Sequence, residues 1–274
     1  MRRCLILIAA LFLAAGLVWA ADSSPQPAPD ASPAPPSAPP PQSPVAAPDR
    51  AEAATVPMAE KVQLLSPIDG GPVDGWKIGA FVTAGVDTDF CYLNASESYY
   101  QKLLATDPRT GYTGYVDDFP PNLKTPLSAD LVEKIRKKIP KMFDLKRLEP
   151  WDRYAIVAQI YIWRKMPAKD IANAYLRATY TMRGLALSSA ERDREIELRK
   201  KAIQYLLDAD EAADFTMAET PQVKYLIGEL YRRNAKFDKA LDYFNDALKL
   251  KNRPEWLDEM VIRQKARAYG YDDR

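Results

Sequence analysis

Thirty residues near the C-terminus, from Pro221 to Leu250, constrain this chain more than any other stretch: PQVKYLIGELYRRNAKFDKALDYFNDALKL. Ile227, Gly228 and Tyr231, with the methylene stem of Lys224, recur at the i, i+3, i+4, i+7 spacing that builds one helical face. Ala240, Leu241, Phe244, Ala247 and Leu248 repeat that pattern in the second half. Gly228 and Ala240 are small where two antiparallel helices would cross, so the backbones can approach closely. The spacing predicts a helical hairpin.

Helical signals continue back from that hairpin to Ser128. Ser128 is an N-cap for a basic helix predicted through Lys138 and stopped by Pro140. Pro150 suits the first turn of the next helix, Trp151 to Arg164. That helix carries Tyr154, Ile156, Val157, Ile160, Tyr161 and Trp163, apolar over more than half its circumference, which predicts a central position. Pro167 opens a helix through Arg183 with Ile171, Ala174, Tyr175, Ala178 and Met182 on one face. Ser188-x-x-Glu191 is a capping box for a helix to about Asp208, charged all round in its first half. Helices from Pro221, Phe237 and Pro254 complete seven, the last with a polar outer face of Arg263, Lys265 and Arg267.

The hairpin resembles one tetratricopeptide repeat, with Gly228, Tyr231, Phe237, Ala240, Phe244 and Ala247 at the motif's register. It departs from the motif at Lys224, where the repeat usually has Trp, and at Pro254, about two residues late. The resemblance implies a mainly α fold of antiparallel, tetratricopeptide-like helical hairpins over residues 126–274, a type of surface that binds or scaffolds.

The other end of the chain reads differently. Arg2 and Arg3 precede the apolar run Cys4 to Val18 and a small-residue exit at Val18-Trp19-Ala20, the pattern of a cleavable export signal over residues 1–20. A secreted or periplasmic location follows; membrane anchoring by residues 4–20 is the alternative. Residues 21–60 hold 12 of the chain's 23 prolines, a composition that cannot bury enough apolar area to offset ordering entropy and predicts a disordered linker.

Residues 61–125 are expected to form a small, turn-rich module containing β-structure. Seven of the 11 glycines fall between Gly70 and Gly114, separating short strand-like pieces at Val62–Leu65, Trp76–Thr83 and Tyr112–Val116; Ser96 caps a short predicted helix to Leu104. Two turns look alike: Ser66-Pro67-Ile68-Asp69-Gly70 and Asp107-Pro108-Arg109-Thr110-Gly111. Each is x-Pro-x-x-Gly, the outline of a zinc knuckle without its thiolates, since sulfur at the first and fourth positions wraps a tetrahedral metal. Together with Tyr175-Leu176-Arg177-Ala178 and Tyr225-Leu226-Ile227-Gly228-Glu229-Leu230-Tyr231-Arg232-Arg233, this layout resembles an uncharacterised bacterial domain-of-unknown-function family, DUF2225, from about Val62 to Leu250. In that family a Cys-Pro-x-Cys-Gly segment precedes such helices. Ser66, Asp69, Asp107 and Thr110 stand in the four cysteine places here, so the resemblance implies a degenerate, metal-free zinc-knuckle module and carries over no activity.

Chemistry is restricted by what is missing. The chain has no histidine, which removes the usual general base near neutral pH, every Ser-His or Cys-His pair, and imidazole metal sites. Cleavage after Ala20 would leave Cys91 as one free thiol, read as a half-buried hydrophobe beside Phe90. Asp87-x-Asp89 with Asp117-Asp118 could supply oxygen ligands for calcium but fails the loop pattern, and surface turns account for these acids better. No cofactor is implied. With 38 basic against 37 acidic residues, no global field attracts nucleic acid or an anionic membrane.

The expectation is a non-enzymatic protein-interaction or scaffold protein of the cell envelope, binding a protein or peptide partner through its helices. Arg177, Arg183, Tyr231, Arg232 and Arg233 are the candidate partner-binding residues, with Arg177, Arg183 and Arg233 placed to face an acidic peptide. A carboxylate-dependent enzyme or binder acting on cell-wall or polysaccharide material is the alternative. The partner's identity and the oligomeric state are left open.

Overall fold

A computed structural model describes residues 59–93 and 99–273. The expected export signal (residues 1–20) and almost all of the expected linker (residues 21–60) lie outside the described residues. Ala59 and Glu60, assigned to the linker on composition, lie in β1 (Ala59–Leu65). β1 pairs antiparallel with β2 (Pro72–Ile78), Ala59 opposite Ile78 and Leu65 opposite Pro72. Two further antiparallel pairs follow: β3 (Gly85–Val86) with β4 (Tyr92–Leu93), and β5 (Ala105–Thr106) with β6 (Thr113–Gly114). A one-turn helix, α1 (Tyr99–Lys102), separates them, and a 3-10 turn (Val116–Asp118) closes the region.

Seven helices complete the described chain: α2 (Ala129–Met142), α3 (Pro150–Trp163), α4 (Ala168–Thr181), α5 (Ser189–Glu211), α6 (Thr220–Arg233), α7 (Phe237–Lys249) and α8 (Glu255–Tyr269). The fold is mainly α with small antiparallel strand pairs on its N-terminal side. The caps are those the residues dictate. Ser128 accepts the Leu131 amide, and Ser188 with Glu191 forms the reciprocal box. Pro140 does not stop α2, which runs on to Met142. Its missing N–H removes one bond in the final turn, while Ile135 and Ile139, both fully buried, hold that turn against the core.

Consecutive helices pack on one another in chain order from α2 to α8. α3 lies between two hydrophobic clusters. Ile156 and Ile160 face Leu64, Val73, Tyr112 and Phe119 of the strand region; Tyr154, Val157 and Ala158 face the helices behind. Both clusters draw residues from either side of position 125, so the turn-rich region and the helices share their cores. The α6–α7 crossing is as tight as the small residues require. A Cβ on Gly228 would lie 2.7 Å from the Phe244 ring and 3.1 Å from the Ala240 carbonyl oxygen.

Candidate functional site

The segment from Asp87 to Cys91 lies across the helices and is gripped at both backbone and side chains. Three tyrosines, one each from α3, α4 and α6, donate their hydroxyls to carbonyls of the turn-rich region: Tyr154 to Tyr100 at 2.6 Å, Tyr180 to Asp89, and Tyr225 to Thr88 at 2.7 Å. All three are buried. Burial pushes each phenol far above its ordinary value, so each stays a donor at any physiological pH.

The side chains of the segment enter a buried ion cluster. Arg183, at the end of α4, pairs with both Asp87 and Asp89. Arg233 of α6 reaches Asp87 at 2.9 Å and Glu229 at 2.7 Å, and Thr88 donates to Glu229 at 2.6 Å. Arg232 forms a two-pronged pair with Glu229, with both side chains fully buried. Arg199 of α5 ties Glu195 to the α6 terminus through the Arg233 carbonyl. Burial alone would raise the Asp89 carboxyl; Arg183 and Arg233 outweigh it and hold it below its usual range. The acidic peptide that faces Arg183 and Arg233 is therefore the chain's own Asp87-Thr88-Asp89.

That anchoring fixes one wall of a cleft of about 270 Å³. Thr83 to Thr88 and Phe90 line one side; Trp256, Glu259, Met260, Arg263 and Gln264 of α8 line the other. Val86, Trp256 and Met260 are partly exposed, while Phe90 is buried at its floor with φ of 67°, a backbone region that a bulky residue adopts only when its surroundings hold it there. The expected polar outer face of α8 is thus also the wall of a recess. Asp87 is the single acid of the cleft in an ion pair; Glu259 and Arg263, one helical turn apart, are exposed and make none among the described residues.

The other residues singled out from the sequence are dispersed. Arg177 is buried on α4, donating to the Tyr115 hydroxyl at 3.1 Å with its guanidinium over the same ring, and its Nε has no acceptor among the described residues. Arg232 is enclosed, so neither it nor Arg177 offers a charge to the surface. Tyr231 is partly exposed, stacks on Tyr243 with ring centroids 5.6 Å apart, and has Lys239 over its face. Cys91 is buried, and desolvation beside Asp89 pushes its thiol up to about 12, an inert state. Asp118 serves α3, accepting from Tyr161 and Arg164, while Asp117 is exposed, so the four acids considered for calcium do not converge. Among the described residues no cluster of three or more acid or thiol side chains has metal-binding geometry.

Ser66, Asp69, Asp107 and Thr110 do come together. In both turns the fifth residue's amide returns to the first residue's carbonyl, Gly70 to Ser66 and Gly111 to Asp107, with the glycines at φ of 73° and 74°. Each of the four side-chain oxygens accepts the amide two residues further on: Ser66 from Ile68, Asp69 from Gly71, Asp107 from Arg109 and Thr110 from Tyr112. Arg109 links the turns, 3.0 Å from Asp107 and 3.1 Å from Asp69. Hydrogen bonds from Arg109, Ser66 and Thr110 outweigh burial and hold the Asp107 carboxyl below its usual value.

Sequence reasoning missed the pairing of Asp87 and Asp89 with Arg183 and Arg233, residues about a hundred or more positions apart whose meeting no local pattern announces. The α8 wall had a signal: Trp256, Met260 and Arg263 share one face at i, i+4, i+7, with the apolar members on it.

A profile of the family described as "Uncharacterized protein conserved in bacteria (DUF2225)" matches residues 77–269. The chain belongs to that family. The DUF2225 span begins later and ends later than Val62 to Leu250. It takes in the ion cluster, the cleft and the second turn, and leaves Ser66 and Asp69 outside. No curated protein and no solved structure matches the chain. Among the described residues no helix is long and apolar enough to cross a membrane.

Proposed function

We propose that this DUF2225 member is an exported, non-enzymatic interaction protein of the bacterial cell envelope that holds a peptide or partner protein in the cleft between Thr83–Thr88 and α8. The observation that carries this reading is the cleft itself: a recess with partly exposed Val86, Trp256 and Met260, whose wall is held by buried ion pairs. Apolar side chains left accessible in a recess are what a partner covers. The face of α3, α4 and α6, which a tetratricopeptide-like stack would offer to a ligand, is filled by the chain's own Asp87-Thr88-Asp89, which moves the binding surface to its edge. The basic N-terminus, apolar run and small-residue exit support export, with the proline-rich stretch as a tether.

The turn-rich region is, in this reading, a metal-free descendant of a zinc-knuckle module. Four oxygen acceptors in the thiolate places and one bridging guanidinium take over the cross-link a metal would make.

The enzymatic alternative needs two convergent carboxylates in a cleft, one with a raised pKa. The cleft lining includes Asp87, committed to two arginines, and Glu259. Asp170, whose carboxyl burial does raise, lies outside that lining. A photo-crosslinking residue placed at Glu259 in living cells is expected to yield a discrete adduct with another polypeptide, absent when the same residue replaces Lys137 on α2. No adduct above that control would overturn the reading.

A further inference from the structure

Arg177 of α4 offers no charge to the surface, and its charge is not answered inside either. It is 4% exposed and forms no ion pair among the described residues. The comparable arginines are all provided for. Arg164, Arg183, Arg199, Arg232 and Arg233 each face a carboxylate. Arg153, which has none, donates to the Thr106 hydroxyl at 2.9 Å and to the carbonyls of Gln101 and Leu104. Arg177 makes one hydrogen bond to a described residue, from Nη1 to the Tyr115 hydroxyl at 3.1 Å. Nε is shut off from water with no acceptor, and Nη2 donates to no described residue. Nε and Nη2 together form the side-on edge of the guanidinium, whose two parallel N–H groups match the two oxygens of a carboxylate.

The surroundings of that edge are aromatic. α1 packs on α4 and brings Tyr99 and Tyr100 with it. Burial raises the phenols of Tyr92, Tyr99, Tyr100, Tyr115 and Tyr154, and the Arg177 charge works against burial at every one, so all five lie around the guanidinium. Phenols are neutral at physiological pH and supply dipoles without a counter-charge. The acids that bear on Tyr115 are Asp118 and Asp170. Asp118 is committed to Tyr161 and Arg164. Asp170 lies two turns back on α4, about 10 Å along the axis. Burial raises its carboxyl, which makes it a poorer counter-ion still.

Part of the aromatic shell reaches the surface. Phe81 stacks on Tyr99 with ring centroids 4.1 Å apart and meets Tyr92 at 4.8 Å. These three rings, like Tyr115, are partly exposed. The Tyr92 and Tyr99 hydroxyls hydrogen-bond to no described residue. A buried, unpaired guanidinium is costly, and proteins keep such a destabilised group where function uses it.

We propose that Arg177 anchors a small-molecule site: the carboxylate of an organic acid takes the Nε–Nη2 edge in a two-pronged pair, and its aromatic or apolar body packs against Phe81, Tyr92 and Tyr99. Nε is closed to water in this structure, so the acid must part those rings to reach it, and binding changes the packing of the tyrosines. None of these residues lines the cleft beside α8, and the site stands whether or not that cleft takes a partner.

The test titrates purified full-length protein with phenylacetate and benzoate, with phenylacetamide as the neutral isostere and inorganic phosphate as a second anion. The two carboxylates should raise Tm saturably, change the near-UV circular dichroism of the tyrosines, and bind at least about tenfold more tightly than the amide or phosphate. Arg177→Lys keeps the charge but loses the fork, and should weaken carboxylate binding about tenfold. Arg177→Met should abolish binding and, in buffer free of organic acids, raise Tm by a few degrees, because it removes an unpaired buried charge. An arginine that served packing alone would give the opposite sign. Carboxylate binding that survives Arg177→Met, or an Arg177→Met variant less stable than the parent, would overturn the assignment. So would equal binding of phenylacetamide or phosphate, or no saturable response to either carboxylate at about 10 mM.

Discussion

Replacing Asp89 with Asn tests whether the ion cluster holds the turn-rich region against the helices. Asn keeps the size and one acceptor oxygen, so the perturbation is the charge. Asp89 is fully buried and pairs with Arg183 and Arg233. Removing one member of a buried pair costs about 3–5 kcal/mol when the remaining charge is left unpaired. Here Asp87 and Glu229 still face the two arginines, and the Arg183 side chain is 21% exposed, so screening and the remaining acids reduce the loss. The expected cost is about 2–4 kcal/mol, or about 5–15 °C in Tm for a fold of this size. Thermal unfolding followed by far-UV circular dichroism at pH 7 measures it. A double-mutant cycle with Arg183→Gln should give a coupling of about 1–3 kcal/mol. A loss below about 1 kcal/mol, or simple additivity in the cycle, would refute the reasoning. The pH dependence has a definite sign. Because Asp89 lies below its unfolded value, its contribution is present above about pH 4 and is lost as pH falls through the folded value. The Asn variant should therefore lose less stability on acidification than the parent.

Gly228→Ala should destabilise by about 1 kcal/mol: the helix-propensity gain of about 1 is exceeded by the 1–3 of overpacking against Phe244 and Ala240, and a more stable variant in denaturant titration would refute the close crossing. In Cys4→Ser protein, Cys91 should react with Ellman's reagent at pH 8 only on unfolding; prompt stoichiometric reaction of the native protein would contradict its burial. The combined Ser66→Cys, Asp69→Cys, Asp107→Cys and Thr110→Cys variant should bind one Co(II) with tetrahedral thiolate absorption bands, and failure to bind would count against descent from a zinc knuckle.

Seven helices, most of their caps and the α6–α7 crossing were legible in the residues, because caps and 3.6-residue periodicity act over a few positions. Pro140 misled for the same reason. Its local cost argued for a stop, and the burial of Ile135 and Ile139 outweighed it. The paired turns were legible as a motif, since glycine at the left-handed position and proline after the first residue are local requirements. That Arg109 would bridge them was not, because it depends on where the second turn lands.

The arginines mark the boundary most clearly. Their charge and helical position followed from the sequence alone, whereas the expectation for Arg183 and Arg233 was an acidic peptide of a partner. Which acids they face was decided only when Asp87 and Asp89 were folded onto α4 and α6, an arrangement set by tyrosine donors on three helices and by the cost of leaving any buried charge unpaired. Local chemistry determined the elements; long-range desolvation and pairing determined which surface they left open.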